Sequence, residues 1–278
     1  MRTYPGGKNG SGVWQRIISQ QPPHDEYIEP FLGSGAVLRR KLPARATVGV
    51  DVDPHVAKQW LESWREWLPG CTAAGSAAAG GGGPMFQMIE GDGVSYLQGR
   101  MFGPRTLIYL DPPYLRETRS CQRRMYRCEL DVDGHEAMLA RITELGCAVQ
   151  LSGYWTEMYA RALRTWRCVK YATVVRSGAV REECLWMNYP EPGVLHDARY
   201  VGAGYEERWK YARKRRRWLK RLAGMDVLER AAMLQALNES GLLLRGEGRA
   251  KRPADGESAE TAEDCQRQLE HQAVVPGE

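Results

Sequence analysis

The chain has 278 residues, 43% of them hydrophobic and 26% charged, with a net charge of +5. That is enough for one substantial α/β domain plus smaller additions. There is no run of eighteen apolar residues, and Met1-Arg2-Thr3-Tyr4-Pro5 has no apolar core suited to a secretory signal, so the expectation is a soluble, cytoplasmic chain with no membrane partner.

The seven cysteines are odd in number, scattered and without a C-x-x-C pair, which argues against both a disulfide framework and a structural zinc site. Cys121 and Cys128 lie near His135, but their spacing fits no tetrahedral pattern, so no metal is expected.

In chain order, Asp25 to Phe31 reads as a strand, Gly33-Ser34-Gly35 as a turn and Ala36 to Lys41 as a helix. A second strand, Thr47 to Val50, ends at Asp51-Val52-Asp53. Pro54 then opens a helix that carries Val56, Trp60, Trp64 and Trp67 on related faces. Residues 70–84 are rich in Gly and Ala and lack large apolar side chains, so they read as a flexible loop. Met85 to Ile89 is a third strand, followed by Gly91-Asp92 and a short helix over Val94 to Arg100. Thr106 to Leu110 is a fully apolar strand of the kind buried in a parallel sheet.

An arginine-rich stretch follows Tyr114, then a helix over His135 to Leu145, a strand over Cys147 to Leu151, a helix over Thr156 to Leu163, and a closing strand pair, Val169 to Val175 with Cys184 to Tyr189, around Ser177-Gly178. The order predicts an α/β fold with parallel strands and a final hairpin over residues 1–190. Beyond it, Glu206 to Leu222 and Val227 to Leu237 form a basic helical extension over 205–244, with Asp226 and Glu229 spaced as a capping box, and 246–278 reads as a disordered tail.

The strongest chemical signal is the strand that runs into Asp111-Pro112-Pro113-Tyr114, because ligands of open α/β sheets sit beyond the carboxyl ends of strands. Two prolines hold the backbone extended and leave the Asp111 carboxylate and the Pro112 carbonyl as fixed acceptors, matching the two hydrogens of an exocyclic amine. Accepting both would turn the nitrogen lone pair outward and stabilise positive charge developing there, while Tyr114 stacks on the base. Alone, the same residues also suit an ordinary Pro-Pro turn.

Phe31-Leu32-Gly33-Ser34-Gly35 could bring backbone N–H groups to a carboxylate, although it equally suits a turn that lets helix and strand pack closely. Asp51 stands where an acid commonly holds ribose hydroxyls, while Asp53 is better placed as an N-cap. Asp92 suits either a cofactor contact or an N-cap, and Gly6-Gly7-Lys8 either a cofactor contact or a simple turn.

Taken together, Tyr4-Pro5-Gly6-Gly7-Lys8, Glu29-Pro30-Phe31-Leu32-Gly33-Ser34-Gly35 and Asp111-Pro112-Pro113-Tyr114, in this order, resemble the Dam-like group of DNA adenine-N6 methyltransferases over roughly residues 1 to 190. Asp111 to Tyr126 and Leu151-Ser152-Gly153-Tyr154 look most like the compact versions carried by phages and mobile elements. The resemblance implies a Rossmann-like methyltransferase fold and S-adenosylmethionine as cofactor. It places Lys8, Glu29, Phe31, Gly33 and Asp51 at that cofactor, with Tyr4, Gly6, Gly35 and Asp92 completing the expected cofactor site, makes the Asp111 loop catalytic, and implies double-stranded DNA as partner with a flipped-out adenine as target.

A short segment, 115–133, stands where larger members carry a target-recognition domain. Arg116, Arg119, Arg123, Arg124, Tyr126 and Arg127 there, with Arg215 and Arg216 in the basic helix, are the expected DNA contacts. Adenine in structured RNA is the alternative acceptor, and a catalytically silent DNA-binding relative is the alternative from another class. No obligate protein partner is implied.

Overall fold

The computed structural model describes residues 8–10, 12–73, 83–118, 126–174, 180–240 and 260–261. After a short helix, α1 (Val13–Ile18), come β1 (Glu26–Glu29), β2 (Ala46–Asp51), α2 (Pro54–Trp67), β3 (Thr72–Ala73), β4 (Met85–Glu90), α3 (Gly93–Leu97) and β5 (Thr106–Leu110). Then follow α4 (Val132–Thr143), β6 (Ala148–Gly153), α5 (Glu157–Ala162), β7 (Arg167–Val174), β8 (Val180–Met187), α6 (Tyr205–Ala223), α7 (Val227–Glu239) and β9 (Glu260–Thr261).

The strands form one sheet in the order β3-β4-β2-β1-β5-β6-β8-β7-β9. Pairing is parallel from β3 to β6 and antiparallel from β8 outward. The chain winds outward from β1 to β2 and β4, then crosses back to β5 and β6, which is the doubly wound plan of a Rossmann-like fold, extended here by the antiparallel strands β8 and β7.

Side-chain alternation along the central strands builds the core on both faces. Ile28, Ile108, Leu110, Val149 and Leu151 point to one face and meet Val94, Leu97, Met138, Leu139, Ile142 and Leu163 from α3, α4 and α5. Tyr27, Leu107, Tyr109, Leu185 and Met187 point to the other, where Ile17 of α1 and Val56, Trp60 and Trp64 of α2 cover them. The period of two in a strand divides Leu107-Ile108-Tyr109-Leu110 evenly between the layers. Asp53 caps α2, accepting from the His55 N–H at 2.9 Å, and Pro54 fills the first helical turn.

Ala36 to Lys41, expected as a helix, is a run of turns. Arg39 N donates to Gly35 O and Lys41 N to Val37 O, but between them Arg40 N donates to Val37 O, and the bonds do not propagate before Pro43. This is too short for a helix to offset its nucleation cost. The glycine-rich stretch begins with β3, paired to β4, and 74–82 lies outside the described residues, as does the 175–179 turn between β7 and β8.

Neither α6 nor α7 buries any residue. The base of α6 is tied down by Arg16, which donates to Ala203 O at 3.0 Å, and Asp226 caps α7 by accepting from the N–H groups of Leu228 and Glu229. In the expected disordered tail, Glu260–Thr261 pair with Cys168 and Arg167 along the open edge of β7, and the rest lies outside the described residues. Among the described residues no helix is long and apolar enough to cross a membrane.

Candidate active site

The order of the sheet reverses between β1 and β5, and at such a switch point the connections leave toward opposite faces and open a crevice at the carboxyl ends of the strands. A cleft of about 690 Å³, including its open mouth, lies there. Its walls are Glu29, Pro30, Phe31 and Gly33 after β1, Asp51 and Asp53 after β2, Gly93 after β4, and Asp111, Pro112 and Pro113 after β5, joined by Lys8 and Tyr126. Residues distant in sequence meet because four parallel strands all end at one edge.

On the β1–β2 side, Asp51 binds the glycine loop. Its carboxylate accepts from Gly33 N at 2.7 Å and from Asp53 N at 2.9 Å, while Leu32 N donates to Val50 O at 3.0 Å. Trp60 donates its indole N–H to Gly33 O at 2.9 Å. The Gly35 N–H donates to Leu32 O at 2.7 Å. The N–H groups of Gly33 and Gly35, expected to reach a ligand carboxylate, are thus spent inside the turn. What the loop presents to the cleft is Phe31, Ser34 and the backbone around Gly33.

Burial raises the Asp51 carboxyl above its ordinary value, against the two backbone donors that lower it. Glu29, nearly fully buried, is raised well above the usual carboxylate range by burial and then by the neighbouring charge of Asp111. Asp92 is the N-cap of α3, accepting from Ser95 N at 2.7 Å, and the adjacent Gly93 lines the cleft in its place. Tyr4 and Gly6 lie outside the described residues.

On the β5 side, Lys8 turns out to serve the Asp111 loop. Its ammonium lies 3.0 Å from Asp111 Oδ1 and 2.9 Å from Glu183 Oε2, and also donates to the Tyr114 hydroxyl. Glu183 Oε2 accepts in addition from the hydroxyls of Tyr114 and Tyr171, each at 3.1 Å, and Oε1 from Thr173 Oγ1 at 3.2 Å.

Burial works against the Lys8 ammonium, but the two carboxylates outweigh it and hold the lysine well above its usual value. Burial pushes Asp111 up to about 6, with Lys8 pulling down and Glu183 pushing up. Burial also opposes charge on Glu183, yet Lys8 and the hydroxyl donors hold it below the usual range. The result is a polarised pair at the cleft floor, with Asp111 shifted upward and Glu183 downward.

Tyr114 is 7% exposed and packs edge-on to Tyr154, with ring centres 4.7 Å apart. The two rings border a second hollow, of about 170 Å³, with Thr118, Gly153, Thr156 and Tyr159. Sequence reading missed Glu183 and Tyr171. A signal was present, since Glu183 shares the strand face of Leu185 and Met187, and an acid in the inward phase of a buried strand needs a partner.

The expected DNA contacts are spread out. Arg116 is exposed on a short 3-10 turn. Tyr126 lines the main cleft, and the Arg127 guanidinium lies 4.0 Å from Asp53 on its rim. These two therefore belong to the cleft that Asp51 and Asp53 border. Arg215 and Arg216 are exposed on α6, and Arg119, Arg123 and Arg124 lie outside the described residues. Among the described residues no cluster of His, Cys, Asp and Glu is suited to a metal.

No family model and no curated relative matches the chain. Solved structures with a related fold include a Haemophilus influenzae protein assigned as a methylase, at 15% identity over 63% of this chain and 84% of that one, with a TM-score of 0.37. A precorrin 8W decarboxylase of Methanobacterium thermoautotrophicum shows 13% identity over 66% and 92%, with a TM-score of 0.38. The magnesium protoporphyrin IX methyltransferase of Synechocystis, crystallised with S-adenosylmethionine, shows 11% identity over 63% and 75%, with a TM-score of 0.37. These are likenesses of framework, and the residue roles rest on the geometry of this chain.

Proposed function

We propose that the chain is an S-adenosylmethionine-dependent methyltransferase acting on the N6 amino group of a flipped-out adenine in DNA. The observation that carries this reading is the Asp111 carboxylate at the end of β5, anchored by a buried lysine and facing the cleft at the switch point of the sheet.

The cleft residues fit the cofactor. Phe31 supplies an apolar wall, and Asp51 has acceptor capacity for ribose hydroxyls beyond its two backbone donors. When bound, S-adenosylmethionine would supply an electrophilic methyl group on a sulfonium, its S–CH3 bond breaking to leave S-adenosylhomocysteine while the methylated amine gives up one proton to solvent. The protein's contribution is to hold the amine. Asp111 and the Pro112 carbonyl accept its two hydrogens, which withdraws the nitrogen lone pair from the purine ring and stabilises the charge that develops on nitrogen. Positioning by the rigid Pro-Pro backbone supplies several kcal/mol more.

Exposed arginines on α6, with Trp209 and Trp218 interleaved, favour a polyanion such as double-stranded DNA. The test is transfer of labelled methyl groups to unmethylated DNA, with structured RNA in parallel and nucleoside analysis of the product. N6-methyladenine in DNA is the expected product. Label confined to RNA would move the acceptor, and an Asp111→Ala variant with near-normal turnover would refute the catalytic assignment.

A further inference from the structure

Glu183 lies on β8, 72 positions beyond Asp111 in sequence by its numbering, yet both carboxylates share the same ammonium. Of its donors, Lys8, Tyr114 and Tyr171 converge on Oε2 and Thr173 reaches Oε1, out of the roughly four acceptor sites of a carboxylate. Most of the acceptor capacity of Glu183 is therefore taken up inside the protein. Asp111 is 17% exposed and faces the cleft, whereas Glu183 is 8% exposed behind it.

From this arrangement we infer that Glu183 is a positioning residue of the Asp111 loop. It divides the Lys8 charge between two carboxylates, so that Asp111 is anchored without being neutralised as an acceptor, and it ties the Tyr114 ring to the same point. The inference rests on the proposed role of Asp111 as the amine acceptor.

Two carboxylates share one cation in a low-dielectric setting, so an ion pair with Lys8 alone would spend the Asp111 charge on Lys8 and weaken its bond to a neutral amine. The titratable groups around Asp111 are Lys8 from the N-terminal segment, Glu29 from β1, Tyr109 from β5, Tyr171 from β7 and Glu183 from β8, with Tyr114, Tyr154 and Tyr159 nearby. The tyrosines are all shifted upward and stay neutral, and Glu29 is held toward its protonated form. Among the described residues, Lys8 and Glu183 are left as the charges that act most on Asp111.

In Glu183→Gln both changes act in one direction. The repulsion on Asp111 disappears, and Lys8 is released to pair with Asp111 alone. The experiment is an NMR titration of Asp111 Cγ in the full chain carrying 13C-labelled aspartate, with the resonance assigned by Asp111→Asn. The midpoint, about 6 in the native protein, is expected to fall by about one pH unit or more. Tyr171→Phe gives a second reading if Glu183→Gln does not fold: it leaves Glu183 charged but strips one donor, so Lys8 is drawn toward Glu183 and the Asp111 midpoint rises.

A midpoint that stays put in folded Glu183→Gln, or a fall in Tyr171→Phe, overturns the inference. Methyl transfer is read on the same samples. A loss of at least about tenfold in kcat with the KM for S-adenosylmethionine little changed supports the positioning role. Shifted midpoints with no transfer by the native chain to any nucleic acid would sustain the Glu183 coupling and overturn the nucleic-acid methyltransferase reading instead.

Discussion

Replacing Gly35 by Ala tests whether the loop after β1 is held by close packing. Gly35 has φ +57°, and a Cβ there would stand 2.2 and 2.7 Å from the ring of Trp60 and 3.3 Å from Leu32 Cδ1. Trp60 is 1% exposed and its N–H is bonded to Gly33 O, so the ring cannot retreat without breaking a bond to the very loop in question. The left-handed backbone costs an alanine roughly 1–2 kcal/mol, and the overpacking adds roughly 1–3 kcal/mol. The expected loss is then about 2–5 kcal/mol, a large part of the stability of an ordinary domain.

Gly99→Ala is the internal control. Its φ is +65°, but an added Cβ meets nothing within 4 Å, so only the backbone cost applies. Urea denaturation followed by tryptophan fluorescence measures both variants, and titration with S-adenosylhomocysteine reads the cleft. Gly35→Ala should lose about 1–3 kcal/mol more than Gly99→Ala and bind the ligand more weakly, with Gly99→Ala unchanged in binding. Equal losses in the two variants would refute the packing argument.

Lys8→Met leaves Asp111 and Glu183 without their shared cation. Breaking such a buried pair should cost about 3–5 kcal/mol, and the Asp111 midpoint should rise above its native value of about 6, so that residual methyl transfer recovers as pH is raised. His24 is buried, stacks on His196 at 3.8 Å and is held down to about 2 by burial and then by Lys41. It takes up its proton only on unfolding, so stability is constant above the ordinary histidine value and falls as pH drops below it, by up to about 1.4 kcal/mol per pH unit. His24→Gln should flatten that slope by about one proton between pH 6.5 and 4.5 in denaturant melts. Changing Arg215, Arg216 and Arg217 together to Ala should lower the salt dependence of DNA binding by up to about 2.7 in log–log slope, and an unchanged slope would remove α6 from the interface.

Much of the framework was legible in the sequence because strands and helices of this fold are marked by local patterns. Thr106 to Leu110 is apolar without interruption because both of its faces are covered, and Asp53-Pro54 marks the start of α2 by capping chemistry alone. Asp111-Pro112-Pro113-Tyr114 stood out because two prolines after a buried strand leave few conformations open. By contrast, Ala36 to Lys41 has helical composition but closes only scattered bonds, and Asp92 satisfies a helix end where its chain position also suited a ligand.

The sequence by itself determined the order of strands and turns, and which loop ends in an acid at the carboxyl edge, since these follow from side-chain periodicity and backbone restriction within a few residues. Only the tertiary structure decided which charges meet. Lys8 could have served any part of the cleft, and nothing near Glu183 announces its partners. The association of Lys8, Asp111 and Glu183 depends on β8 running antiparallel beside β6 and on β5 ending opposite the N-terminal segment. Long-range pairing of buried charges is set by strand order and burial, which act across the whole sheet, so neighbouring residues can mark an acid as buried without specifying its partner.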